Sequence, residues 1–152
     1  MRRIATIIVS ILVLISLDYV SKQYAIESLI AGYISLFGEW IGLYLSYNSG
    51  VAFSLPIRGL TLQILTVVLI GGIIYHYARE EYAKKSKLLD AGYALILAGA
   101  ISHAYERIFV GHVIDFIAVK YFAILNFADI FISIGAFCII SYYLVYAEHH
   151  SR

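Results

Sequence analysis

The sequence predicts an all-α integral membrane protein of four transmembrane helices, with a small extracytoplasmic β-rich segment between the first two. Three observations carry this reading. Of the 152 residues, 62% are hydrophobic and 14% charged, with a mean hydropathy of +0.85, whereas soluble domains carry about 25% charged residues. Four apolar stretches, about Ile4 to Ala25, Leu60 to Ala78, Leu88 to Tyr105 and Phe127 to Tyr146, approach the roughly 20 residues a helix needs to cross a bilayer. Between the first two lie Ile34 to Phe37, Leu43 to Tyr47 and Val51 to Phe53, short runs rich in aromatic and β-branched residues. Gly38, Gly42 and the Asn48-Ser49-Gly50 turn break them, which predicts two or three short strands on the bilayer surface. No Ser/Pro-rich linker, repeat or low-complexity tract interrupts the chain, so residues 1–152 read as one membrane-embedded domain.

The first span follows Arg2 and Arg3, as a secretory signal would. No A-x-A-like site follows it, and Asp18 and Lys22 interrupt its far end, so it reads as a retained span. Basic residues set the orientation. Arg2 and Arg3 precede the first span, and Arg79, Lys84, Lys85 and Lys87 separate the second from the third, which places those ends and both termini in the cytoplasm. The segments Glu27 to Gly59 and Glu106 to Asn126 then face outward, with Arg58, Arg107 and Lys120 as their basic residues. The group from Lys84 to Lys87 suits anionic lipid of the inner leaflet. A net charge of +1, without a clustered basic face, argues against a nucleic-acid partner. Tyr75, Tyr77, Tyr82, Tyr142, Tyr143 and Tyr146 fall near span ends, where an amphipathic ring anchors at the interface. Cys138 is the single cysteine; it lies in an apolar stretch and reads as a core or lipid-facing residue.

With this topology, the polar residues that solvation does not explain share one level. Asp18 and Lys22 lie one turn apart on the outer half of the first span. The third span delivers His103, Glu106 and Arg107 to the outer boundary. Asp129 belongs to the first outer turn of the fourth span, and Asp115 to the connection just before it. Ionisable groups at membrane depth are costly and mark function. Two carboxylates brought together can share one proton, one acting as general base toward water while the other polarises a carbonyl. That is peptide hydrolysis without a metal or a nucleophilic side chain, and no cofactor is called for.

Five motifs in order resemble those of the lipoprotein signal peptidase family, signal peptidase II. Asp18-Tyr19-Val20-Ser21-Lys22 is similar to D-x-x-[TS]-K, and Asn48-Ser49-Gly50-Val51-Ala52-Phe53 to N-x-G-x-A-F. Gly99 to Arg107, through Ala100, His103 and Glu106, aligns with G-G-A-x-G-N-x-x-D-R from Ala98 onward. Gly111-His112-Val113-Ile114-Asp115-Phe116-Ile117 matches G-x-V-x-D-F-I, and Ala123 to Asp129, with Asn126, resembles P-x-F-N-x-A-D. The resemblance implies a bacterial inner-membrane aspartic endopeptidase, active near the outer interface as a monomer among membrane lipids. It implies a lipidated prolipoprotein substrate, cleaved before a diacylglyceryl-modified cysteine, and Asp115 and Asp129 as the catalytic pair. Asn48, Gly50, Asn126, His103, Glu106 and Arg107 then form the surroundings. Asn48, Asn126 and Arg107 are expected to hold substrate backbone or lipid head region, and Asp18 and Lys22 to pair and orient the first span. The chain departs from the pattern at Ser102-His103, at Glu106, and at Ala123 and Leu125.

Other classes meet specific objections. A small proton-coupled transporter needs ionisable groups at several depths. A non-catalytic subunit or divergent relative packing through Gly71, Gly72, Ala94 and Ala98 accounts for the spans but not for the paired aspartates. For zinc, His103 and His112 lack a third ligand at suitable spacing, His76 lies near the inner face, and His149 and His150 are in the tail. Ser21 and Lys22, neighbours on a helix, point in different directions.

Overall fold

The computed structural model describes residues 1–29, 32–50 and 59–150, with side chains as far as Tyr146. In chain order it contains α1 (Arg2–Ser28), β1 (Ile34–Phe37), β2 (Ile41–Asn48), α2 (Gly59–His76), α3 (Lys87–Tyr105), β3 (Val113–Val119), β4 (Ala123–Leu125) and α4 (Phe127–His150). Each helix, with its flanking turns, is long and apolar enough to cross a membrane. The four spans and the strands between the first two are those the sequence predicts. The third expected run, Val51 to Phe53, lies outside the described residues.

Burial identifies the centre of the bundle. In α3, 61% of the apolar span is buried, against 6% in α1 and 11% in α2 and α4, so the other three helices surround it and turn Val9, Leu12, Val68, Phe137 and Leu144 outward. Such an apolar exterior is stable when lipid covers it. The tightest seam joins α3 to α4. A Cβ placed on Gly135 would lie 2.8 Å from the Ile96 side chain, and one on Gly92 would lie 2.9 Å from Ile139; Gly99 leaves equally little room against the Ala128 carbonyl. Small residues admit this close approach. Gly71 and Gly72, which the non-catalytic alternative would use for packing, have nothing within 4 Å of an added Cβ; α2 is a peripheral helix whose glycines face away from the bundle.

The sheet is larger than the sequence suggests. Its order is β1-β2-β3-β4 and every pairing is antiparallel, so the connection between α3 and α4 supplies half the strands. β3 sits between β2 and β4, and Val113, Ile114, Asp115 and Phe116 are all buried. Phe116 packs with Ala25 and Leu29 of the α1 end, which seats the sheet on the bundle. Gly42 does not break a strand as expected. It lies inside β2, paired with Ser35 and Ala118, and its missing side chain leaves the space filled by the Tyr33 ring.

At the other end of the bundle a second set of polar contacts ties the helices together. Arg3 of α1 forks onto both Asp90 oxygens at 2.6 Å and donates to the Tyr82 carbonyl at 2.7 Å. The Tyr77 hydroxyl donates to Asp90 at 2.6 Å. Glu81, buried in the π-helical turn that extends α2, accepts from Lys84 at 3.0 Å and from the Tyr143 hydroxyl of α4. Ser86 caps α3 by accepting from the Leu89 N–H.

Candidate active site

α4 begins with a capping box. Asn126, just before the helix, accepts from the Asp129 N–H at 3.1 Å through its side-chain oxygen, and its own N–H donates to Asp129 Oδ2 at 3.0 Å. This reciprocal exchange satisfies N–H groups that have no partner within the helix. It also holds the Asp129 carboxylate at the positive end of the helix dipole. The other Asp129 oxygen, Oδ1, lies 3.1 Å from His103 Nε2 in the last turn of α3. His103 Nδ1 is buried without a hydrogen-bond partner among the described residues.

Asp115 reaches the same place from the middle of β3, and two amides fix it. Asn126 Nδ2 donates to Asp115 Oδ1 at 2.6 Å and to the Ile114 carbonyl at 3.2 Å. Asn48, the last residue of β2, donates to Asp115 Oδ2 at 3.2 Å. The Gly50 N–H in turn donates to Asn48 Oδ1 at 3.0 Å, an Asx turn that aims the Asn48 amide at the aspartate. Asn126 is fully buried and contacts both aspartates, so one side chain links the pair. Asn48 and Asn126, expected to hold substrate, thus have amide donors on Asp115 and orient it.

Behind the pair lies a buried charge cluster. Lys22 Nζ sits 2.7 Å from Asp18 Oδ2 and 2.6 Å from Glu106 Oε2, and all three side chains are almost wholly shielded. The free oxygens of the two carboxylates do matching work. Asp18 Oδ1 accepts from the Ala128 N–H at 2.9 Å, and Glu106 Oε1 accepts from the Ile114 N–H at 3.1 Å. Ala128 directly precedes Asp129 and Ile114 directly precedes Asp115. One lysine therefore anchors two carboxylates, each gripping the backbone immediately before one aspartate of the pair. The expected pairing of Asp18 with Lys22 is present, and Glu106 is its third member.

Glu106 and Arg107 open a π-helical turn, Glu106–Val110, closed by the Gly111 N–H donating to the Glu106 carbonyl at 2.8 Å with Gly111 at φ 85°. That turn widens the end of α3 and delivers Glu106 inward. Arg107 is half-buried in the field of Asp129, Asp115 and Glu106. Its Nε is buried without a partner among the described residues, and its carbonyl accepts from Gln63 of α2 at 2.8 Å.

Electrostatics separates Asp115 from an ordinary surface carboxyl. Burial pushes its pKa above the usual carboxylate range and the neighbouring Asp129 charge adds to this, while the Asn48 and Asn126 amides and His103 oppose it. A buried carboxyl beside a second carboxylate is the setting in which two acids share a proton. Among the described residues, no three His, Cys, Asp or Glu side chains cluster as metal ligands would.

Fold and site together define a polytopic membrane protein with a paired-aspartate centre at one end of a four-helix frame. Residues 10–145 match the family model described as signal peptidase (SPase) II. The chain is 34% identical to a lipoprotein signal peptidase of Pseudomonas fluorescens over 145 residues, covering 88% of this chain and 84% of that protein. It is 30% identical to one from Clostridium novyi, covering 80% and 85%, and 30% identical to one from Streptococcus pneumoniae, covering 89% and 90%. Two solved structures of a bacterial membrane enzyme, obtained by the in meso method, superpose with a TM-score of 0.79 at 25% identity. Each covers 93% of this chain, with 88% and 94% of the solved chains covered in return. The chain belongs to the signal peptidase II family: it is a multi-pass inner-membrane enzyme of the aspartic-protease type.

The sequence names the aspartates, the asparagines and the charged residues around them, and pairs Asp18 with Lys22, but it leaves Gln63 and the remaining connections unread. The Asn126-x-x-Asp129 spacing ahead of an apolar run is a capping-box signal that would have tied the two residues together. The run Val113 to Val119, β-branched and aromatic, carried a strand signal.

Proposed function

We propose that this enzyme removes the signal peptide of a lipidated prolipoprotein, cleaving before the diacylglyceryl cysteine, with Asp115 and Asp129 as the catalytic pair. The observation that carries the assignment is Asn126 bonded to both aspartates, Asp115 through its side-chain amide and Asp129 through the capping box. Asp115 holds the shared proton, in keeping with its raised pKa. Oδ2, whose contact with Asn48 at 3.2 Å is longer than that of Oδ1 with Asn126 at 2.6 Å, is the oxygen that carries it. Asp129 is the base: it takes a proton from water as the water oxygen bonds to the scissile carbonyl carbon, and Asp115 gives its proton to the carbonyl oxygen. The C–N bond then breaks as the leaving nitrogen takes up the proton that Asp129 acquired, and the diol returns one to Asp115. Arg107, with its unpartnered Nε, faces the substrate. The enzyme works as a monomer, with both termini in the cytoplasm and the pair near the outer interface.

The test is cleavage of a lipidated precursor by purified protein. Asp115→Asn and Asp129→Asn should each abolish cleavage while leaving the fold intact, because the pair acts as a unit. EDTA should leave the wild-type rate unchanged. Substantial turnover by either variant, or a loss with EDTA that zinc restores, would overturn the pair. Reporters fused after Lys87 and after Arg152 should report the cytoplasm; an external signal would reverse the orientation.

A further inference from the structure

Between α1 and α3, at the end away from the aspartates, runs a groove of about 770 Å3. Ile7, Val13 and Leu14 line it from α1, and Ala91, Ala94 and Leu95 from α3. Along α1 it extends from Arg3 to Leu14, about 16 Å at the helical rise, and the hydrocarbon core is roughly 30 Å thick. The groove therefore has the depth of a single leaflet.

Charge is concentrated at its open end. Arg3, Lys85 and Lys87 line it there with Asp90. Asp90 is already engaged by the Arg3 fork and the Tyr77 hydroxyl. The ammonium groups of Lys85 and Lys87 have no ion pair or hydrogen bond among the described residues. Lys85 is also one of two non-glycine residues with positive φ among the described residues, at 52°, in the turn that brings it to the groove mouth. An apolar slot one leaflet deep, opening on two unneutralised ammonium groups, complements one class of molecule: an acyl chain attached to a phosphate.

We propose that this groove binds an acyl chain of an anionic phospholipid, with its phosphate held by Lys85 and Lys87. None of the residues around the aspartate pair lines the groove, so the site is separate from cleavage. Its placement in the inner leaflet rests on the cytoplasmic orientation of the termini; the lipid contact does not.

The test is native mass spectrometry of the full chain released from micelles containing equal phosphatidylglycerol and phosphatidylcholine. Wild-type protein should retain one lipid and prefer phosphatidylglycerol. A lysine near anionic lipid contributes a factor of about five, so Lys85→Gln with Lys87→Gln should cut that preference by about 25-fold. Ala91→Phe and, from the opposite wall, Ser10→Leu fill the groove and should abolish retention of either lipid. Excess inorganic phosphate should leave the adduct in place. Equal retention of both lipids by wild type, undiminished preference in the double lysine variant, or displacement by phosphate would overturn the proposal. Cleavage of the lipidated precursor in detergent should stay at the wild-type rate in all these variants, so the lipid site and the peptidase reading are decided by separate measurements.

Discussion

Replacing Lys22 by methionine removes one positive charge from between two buried carboxylates and keeps most of the side-chain volume. Lys22 contacts Asp18 at 2.7 Å and Glu106 at 2.6 Å, with 2–8% of each side chain exposed. Breaking a buried ion pair by deleting one partner costs about 3–5 kcal/mol, because a charge is left without compensation. Here two carboxylates lose the same partner, so Lys22→Met should fall at the upper end of that range. The damage should reach catalysis, since repulsion between Asp18 and Glu106 loosens their grip on Ala128 N–H and Ile114 N–H, and displacing a reacting group by about 1 Å can cost about 100-fold in rate. The assay pairs denaturant unfolding in detergent with kcat and KM for a lipidated precursor. A positioning role predicts a loss in kcat with KM little changed. The decisive partner is the triple variant Lys22→Met, Asp18→Asn, Glu106→Gln. Its amide oxygens still accept both backbone N–H groups and no buried charge remains, so it should regain most of the lost stability. A single variant as stable as wild type, or a triple variant no better than the single, would refute the reasoning.

Three further outcomes follow from the geometry. His103→Leu leaves Asp129 Oδ1 without its partner at 3.1 Å, a loss of about 1–3 kcal/mol that should slow cleavage by about 5- to 160-fold; His103→Asn supplies a donor again and should keep both the rate and the shape of the pH profile. Asn48→Ala removes a hydrogen bond that favours ionised Asp115, so its pKa rises further and the alkaline limb of the pH–rate profile should move to higher pH; a shift toward acid would contradict Asp115 as the proton holder. Gly99→Ala forces a Cβ against the Ala128 carbonyl and Ile132 and should destabilise by about 1–3 kcal/mol in thermal unfolding, while Gly71→Ala, facing open space, should stay within about 0.5 kcal/mol of wild type.

The spans were legible because hydropathy is a local property: a run such as Ile4 to Ala25 announces its solvent whatever else the chain does. The aspartates were legible for the converse reason, since a carboxylate at membrane depth needs a purpose. The strand β3 was not read, although Val113 to Val119 has the composition of one. Its main partner, β2, lies far back in the sequence, as the Asn48 to Asp115 bond across 67 residues shows, and no local pattern specifies that pairing. Lys22 was legible as the helical neighbour of Asp18, but its bond to Glu106 spans 84 residues. The Arg3 to Asp90 fork, 87 residues apart, was hidden behind the reading of Arg3 as a topology signal. Gly42 shows the opposite error: a residue that punctuates loops elsewhere here makes room for Tyr33 within a strand.

The departures from the family pattern fall where this chain can carry the same connections by other atoms. Glu106 stands where the family has aspartate, one methylene further from the backbone, and it divides its oxygens between Lys22 and the Ile114 N–H. The longer side chain reaches both partners from a π-helical turn, so the added length is taken up by the geometry of the helix end. Ala123 stands where the family has proline, inside β4 and paired with Val119 of β3; alanine keeps a backbone N–H that proline lacks, which permits a ladder hydrogen bond. His103 is the departure with chemical consequence. An asparagine there could offer only an amide, whereas imidazole can carry a proton, and it sits on the Asp129 oxygen that the capping box leaves open. Its Nδ1 is buried without a partner among the described residues, so the ring meets the pair through Nε2. At 3.1 Å from Asp129 Oδ1, that one nitrogen stands where a side-chain amide would place its own, so exchanging imidazole for an amide alters the group at this contact and leaves the capping box and the Asn126 link to Asp115 in place.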